Sequence, residues 1–508
     1  MADRNTFLVF VHGWSVTNTD TYGGLPARLR NEARSRNIGL SIKHLFLGRY
    51  ISFHDEVTVP DISRAFETAV RQELKQVIQS GVRFACITHS TGGPVVRDWW
   101  NRFYASNPGS GQCPMSHLVM LAPANFGSAL AQLGKGRLSR LKNWFGGTEP
   151  GQGVLDWLEL GSKGVWDLNT RWIESGGNFI KANGIFPFVL TGQTIDRKFY
   201  DNLNSYTGES GSDGVVRAAS ANLNARLIRL EQQAPFRKRA RSSPYQAPEL
   251  LHKGTQVAPG TAMRIVGGAA HSGADKGIMR SVYRPVGHVR GRELVNALFD
   301  CLAVTNAAEY RNVVDKHAKE TDKVQVDERL ETEKKFLISD THFIHDRNSM
   351  VVFRITDDYD NEITDFDLIL TAGPKSDPNH LPKGFFVDRQ RNSKSKNTVT
   401  YFFNYDIMVG APEAKAGGKV IRAATSGAEA LGFKIHTRPS DGFVRYLPCE
   451  IKADQKILAD SLRPNATTLI DIRLRRLVDK EVFRLSKMTG DIPDRDFKNT
   501  KPGNELAD

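Results

Sequence analysis

The apolar run Phe84 to Thr88 (FACIT) passes through His89, Ser90, Thr91, Gly92 and Gly93 directly into a helical stretch that starts at Pro94. A buried strand that must turn into a helix over so few residues needs small side chains around the turn, because its neighbours crowd one another there. The same geometry lifts the residue at the apex, Ser90, clear of the sheet. A chain organised around such a junction is confined to a layout in which parallel strands alternate with helices.

The first 300 or so residues keep to that alternation. Phe7 to Val11 (FLVFV) reads as a buried strand, Asp61 to Gln79 as a helix, and His117 to Leu121, Phe186 to Leu190 and Ala262 to Val266 as further strands. From Ala307 to Lys335 the chain becomes charged and lysine-rich, which suits a linking helix. Beyond Met350, segments such as SMVVFRI, DFDLILT, TVTYFFNYDIMV and TTLIDIRLRRL alternate apolar and polar residues between turn formers, the pattern of a β-sandwich. The expected division is therefore 1–306 for an α/β unit, 307–340 for a charged helical linker and 341–508 for a separate β-rich accessory domain.

Composition narrows the function classes. With 40% hydrophobic and 25% charged residues over 508 positions, the chain reads as globular, and no apolar run is long enough to span a bilayer. Met1 to Asn5 leads straight into a strand without the apolar core of a signal peptide, so synthesis in the cytoplasm is expected. Cys86, Cys113, Cys301 and Cys449 show no metal-ligand spacing and read as reduced thiols. A net charge of +13 favours anionic partners, for which an acidic lipid surface is the expectation. Specific nucleic-acid binding is not expected, since the densest basic run, Arg237 to Arg241, has neither interleaved aromatics nor a helix-turn-helix pattern.

The chemistry concentrates at Ser90. A serine hydroxyl is a weak nucleophile and needs a base within reach, which a tight strand-to-helix turn can provide. Thr88 departs from the Gly-x-Ser-x-Gly pattern of such turns, although threonine is still compact. After the first strand comes Val11-His12-Gly13-Trp14. Attack on a carbonyl builds charge on its oxygen, and fixed backbone N–H groups each stabilise that charge by about 3 kcal/mol. The N–H groups of Trp14 and Thr91 are the candidate donors.

FLVFVHGW, THSTGGPVVRDWW and HLVMLAPANFGSAL, in that order, resemble the successive core strands of the lipase and esterase branch of the α/β-hydrolase superfamily, with the nearest likeness to bacterial lipases and GPI-inositol-deacylase-like esterases. The resemblance covers Phe7 to Leu302. It implies an α/β-hydrolase core, a mostly parallel sheet with a helical cap inserted at about 127–185, and a Ser, Asp, His order of catalytic residues. Ser212-Asp213-Gly214-Val215-Val216 is similar to the family's acid loop, which makes Asp213 the expected acid and Asp196 the alternative. His271, behind the strand AMRIV and a small-residue loop, is the expected base, with His288 as its rival; His89 points the wrong way for a base.

The resemblance further implies a carboxylic-ester hydrolase that acts through an acyl-enzyme on Ser90 and requires no cofactor. A structural calcium is neither demanded nor excluded. The insertion is rich in tryptophan, and Trp157 and Trp166 are the expected acyl contacts, with a packed helical subdomain as the other reading. Lipid ester, phospholipid first, is the expected substrate, ahead of a soluble small ester or thioester; a catalytically idle adaptor is the reading from another class. A signal-less lipase with an appended domain also resembles the lipase effectors delivered by type VI secretion. The protein partner of the β domain is left open.

Overall fold

The computed structural model describes residues 5–12, 19–51, 55–105, 111–134, 151–175, 184–195, 211–234, 248–273, 275–283, 289–333, 340–428, 430–452 and 455–478. Six strands form a parallel sheet: β1 (Asn5–His12), β2 (Gly39–Phe46), β3 (Phe84–His89), β4 (Met115–Leu121), β5 (Phe186–Thr191) and, later in the chain, the strand Ala262–Ile265. Their spatial order is β2, β1, β3, β4, β5 and Ala262–Ile265. Central strands of such a sheet are covered on both faces, so their apolar runs are continuous rather than alternating. Val9, Cys86, Leu118, Met120 and Val189 face one core, while Leu8, Phe10, Ala85, Ile87, Val119 and Phe188 face the other.

Helices close both faces. Val59–Glu73 starts on a capping box formed by Thr58 and Asp61 and buries Ile62, Phe66 and Ala69 against the first core together with helix Gly92–Trp100. Leu25–Ser35 and Val289–Ala303 cover the second core through Leu29, Leu294 and Leu298. Among the described residues, no helix is long and apolar enough to cross a membrane.

A second, mixed sheet has six strands in the order Phe386–Arg391, Thr398–Asn404, Asn348–Asp357, Ala466–Leu474, Arg226–Gln232 and Leu250–Val257. Strand alternation gives it two apolar faces. Val351, Phe353, Tyr401, Phe403 and Ile470 pack on a three-stranded sheet of Phe366–Ala372, Leu431–Thr437 and Cys449–Ile451, which makes the expected sandwich. Met350, Val352, Phe402 and Leu469 join the first core of the α/β unit, beside Leu158, Trp166 and Val216.

The sandwich is therefore not a detached unit, as the sequence reading expected. Arg226–Gln232, placed by that reading in the α/β unit, pairs in parallel with Ala466–Leu474 from Arg226↔Thr468 to Glu231↔Arg473. The charged stretch after Ala307 is also more than a linker: helix Ala307–Asp327 buries Tyr310, whose hydroxyl donates to Pro187 O at 2.5 Å and accepts from Ala262 N at 3.3 Å. All four cysteines are buried and free.

Candidate active site

Ser90 follows β3 with φ +52°, a left-handed conformation that side chains other than glycine seldom adopt. Backbone bonds hold it there: Ser90 N–H donates to Leu121 O at 3.0 Å, and Gly93 N–H donates to Ser90 O at 3.2 Å. Thr91 is the N-cap of helix Gly92–Trp100. The N–H groups at the start of a helix lack intrahelical acceptors and carry the positive end of its dipole. A Cβ on Gly92 would stand 3.1 Å from Thr88 Cβ, and one on Gly93 would stand 2.8 Å from Pro123 Cβ. The turn accommodates Thr88 because Gly92 has no side chain.

Two further loops meet Ser90. His271 follows the strand Ala262–Ile265 through a loop whose Gly268 has φ +61°. Its Nε2 lies 3.1 Å from Ser90 Oγ, and its Nδ1 lies 3.0 Å from Asp213 Oδ2. A carboxylate only accepts, so the ring proton belongs on Nδ1, where it donates to Asp213 and leaves the Nε2 lone pair facing the serine hydroxyl. Asp213 Oδ1 accepts from Val215 N–H at 3.0 Å and Val216 N–H at 2.8 Å. His271 N–H also donates to Asp213 O at 2.8 Å. His271 and Asp213 are 0% exposed and Ser90 is 8% exposed, so all three residues are buried and their electrostatics are shielded from water.

Other histidines surround the site without entering the chain. His89 lies 4.7 Å from the His271 ring, centroid to centroid, and its Nε2 donates to His271 O at 3.1 Å. Burial, then the neighbouring His271, holds its pKa well below the usual histidine range, so it serves as a neutral brace. His12 is fully buried, stacks on Phe46 and shares a 2.8 Å hydrogen bond with His44; burial, then His44, lowers its pKa to about 3. Arg97 is buried beneath the insertion, where it donates to the amide oxygens of Asn125 at 3.2 Å and Asn169 at 3.0 Å. Burial brings its pKa down to about 9.

Ser90, His271, Asp213 and Thr91 thus converge. Trp14, the alternative acid Asp196, the rival base His288 and the basic run 237–241 lie outside the described residues. Among the described residues, no cluster of His, Cys, Asp or Glu has a metal-binding arrangement. The described part of the insertion contributes helices Gln152–Leu158 and Lys163–Glu174, and it is packed. Trp166, expected to touch an acyl chain, is 2% exposed with the Arg354 guanidinium 4.4 Å from its ring centre, which leaves too little surface for a lipid. Trp157 is only half-buried.

Sequence reasoning missed the residues that fasten this insertion. Glu159 is 1% exposed and accepts from Ser393 N–H at 2.7 Å and Ser393 Oγ–H at 2.6 Å, and Asn392 donates to Leu160 O at 3.0 Å. In the sequence Glu159 is a single charge between Leu158 and Leu160, a pattern that does not separate a buried carboxylate from an exposed one.

No protein-family model matches the chain, and no curated protein matches it. Among solved structures it is similar to phospholipase PlaB from Legionella pneumophila, with 41% identity over 96% of this chain and 97% of that chain and a TM-score of 0.80. The same protein in complex with thio-NAD aligns at 40% identity over the same shares, again with a TM-score of 0.80. With its parallel sheet, its strand-to-helix serine turn and this identity over nearly all of both chains, the chain belongs to the family of phospholipase PlaB, within the lipase and esterase branch of the α/β-hydrolase superfamily.

Proposed function

We propose that the chain hydrolyses the acyl esters of phospholipids, with Ser90 as nucleophile, His271 as general base and then general acid, and Asp213 as the orienting carboxylate. The observation that carries the chemistry is the unbroken hydrogen-bond relay at 3.1 Å and 3.0 Å from Ser90 Oγ through His271 to Asp213. His271 Nε2 takes the hydroxyl proton as Ser90 Oγ bonds to the ester carbonyl carbon. The carbonyl oxygen becomes an oxyanion, received by the N–H groups of Thr91 and Trp14. The imidazolium, held by Asp213, then protonates the departing alcohol as the ester C–O bond breaks. Water attacks the acyl-serine with the same base and releases the fatty acid.

The substrate class rests on the likeness to a phospholipase over nearly the whole chain and on the net charge of +13, which favours an anionic lipid surface. Trp157, half-buried on the insertion, is the candidate acyl contact. The test is active-site labelling with a fluorophosphonate. Wild type should label at Ser90 and Ser90→Ala should not, while Asp213→Asn and His271→Ala should each lower ester turnover by about 10³-fold or more. Undiminished turnover in His271→Ala would remove it from the base role.

A further inference from the structure

The loop that carries Asp213 is short and closed on itself. Ser212 and Arg217 form an antiparallel bridge across it, Asp213 N–H donates to Val216 O at 3.1 Å, and Ala218 N–H donates to Gly211 O at 2.9 Å. Outward, it rests on the C-terminal sheet. Gly211, at φ +72°, packs so closely on Asn348 that a Cβ there would collide with its amide. Just past the loop, Thr467 Oγ–H donates to Ala219 O at 2.7 Å, and Asn222 Nδ2–H donates to Asn465 O at 2.7 Å.

The central contact is Arg217. Its side chain is 4% exposed, its guanidinium carbon lies 3.7 Å from the Phe402 ring centre, and its Nη1 lies 3.5 Å from Asp388 Oδ2. Phe402 belongs to strand Thr398–Asn404 and Asp388 to strand Phe386–Arg391, neighbours in the C-terminal sheet. A desolvated guanidinium over a ring face is a directional contact, and a planar cation is held there more firmly than a flexible ammonium.

We propose that Arg217 is a positioning residue through which the C-terminal sheet fixes the acid loop, so that Asp213 stays aligned on His271. Because Arg217 is the bridge partner of Ser212, any tilt of its backbone is passed to the residue next to Asp213. The C-terminal sheet is then a structural part of the active site. This inference rests on the triad reading above.

The test is a double-mutant cycle in the full-length protein, with an activated soluble ester and high enzyme concentration so that weak variants remain measurable. Arg217→Met should lower kcat by about 10-fold or more with KM changed less than about 2-fold, because acid alignment matters in the transition state and not in substrate binding. Arg217→Lys should recover part of the loss. Phe402→Leu should reproduce it from the C-terminal side, and it keeps the measurement available if Arg217→Met does not fold in a thermal melt. In an Asp213→Asn background, Arg217→Met should cost less than about 2-fold more, since a residue acting through Asp213 has nothing left to align. A full multiplicative loss in that background, or an effect confined to KM, would overturn the proposal. Severe loss in Asp213→Asn with full activity in both Arg217→Met and Phe402→Leu would overturn it while leaving the triad standing. A harmless Asp213→Asn would end both.

Discussion

Gly92 faces Thr88 across the turn that carries Ser90, so closely that a Cβ on Gly92 would lie 3.1 Å from the Thr88 Cβ. Of the two flanking positions, only one can carry a side chain without pushing the turn open. Gly92→Ala should displace Ser90 and lower turnover by up to about 10²-fold, a cost in line with small misplacements of a reacting group. Thr88→Gly added to that variant should restore most of the activity, as measured by ester turnover and fluorophosphonate labelling rate. A Gly92→Ala variant with wild-type turnover would show that the turn yields without moving Ser90.

The continuous pairing of Arg226–Gln232 with Ala466–Leu474 predicts that the protein cannot be divided near residue 335. Truncation there removes a strand partner and uncovers Leu227, Val215 and Val216, all buried in the first core. An unpaired apolar edge invites aggregation. The truncated chain should be insoluble or fail to label at Ser90, judged by size-exclusion chromatography and labelling. A soluble, monomeric and reactive fragment would contradict the shared sheet.

Trp157 and Trp166 should behave differently although both lie in the insertion. Trp166→Ser removes a buried ring beneath Arg354 and should destabilise the fold by about 3–5 kcal/mol, as loss of a large core side chain does. Its residual activity should keep the wild-type preference between long and short acyl chains. Trp157→Ser should shift that preference toward short chains at little cost in melting temperature. Equal losses on both chain lengths in Trp157→Ser would assign that residue to packing as well.

His317 is fully buried, and burial, then Arg264 and Lys316, lowers its pKa to about 3 from an ordinary 6.5. The unfolded chain therefore binds the proton over a pH range in which the folded chain does not. The stabilisation from keeping it neutral is complete above pH 6.5 and declines as pH falls from there toward the folded value, by about 1.4 kcal/mol per unit. His12, with the same direction and value, adds a second such slope. His317→Leu should flatten the acid side of the stability curve, measured by denaturant unfolding between pH 7 and 4. An unchanged slope would show that His317 takes up its proton in the folded protein.

The sequence revealed the elements whose signal is local. FLVFV and FACIT stand out because both faces of a central parallel strand are covered, and His271 stands out because only small residues separate it from its strand. What the sequence concealed depends on partners far along the chain. Arg226–Gln232 mixes arginine and glutamate with leucine and isoleucine and reads as a surface helix as readily as a strand until Ala466–Leu474 is placed beside it. Glu159 and Arg217 look like surface charges because Ser393, Asp388 and Phe402 lie in the other sheet. Arg473, Arg475 and Arg476 are likewise engaged by residues distant in sequence, with Asp360, with Glu231 and Asp358, and with the Tyr359 ring.

The proposed reaction is acyl-ester hydrolysis of phospholipid at Ser90. The direct measurement is mass spectrometry of the products after mixed phospholipid vesicles are incubated with wild type and with Ser90→Ala. Wild type should release free fatty acid and leave the matching lysophospholipid or deacylated headgroup, and raising the salt should slow release from anionic vesicles as the charge attraction is screened. Ser90→Ala should release none. Equal fatty-acid release from both proteins, or products cut at the phosphate rather than at the acyl ester, would contradict the account.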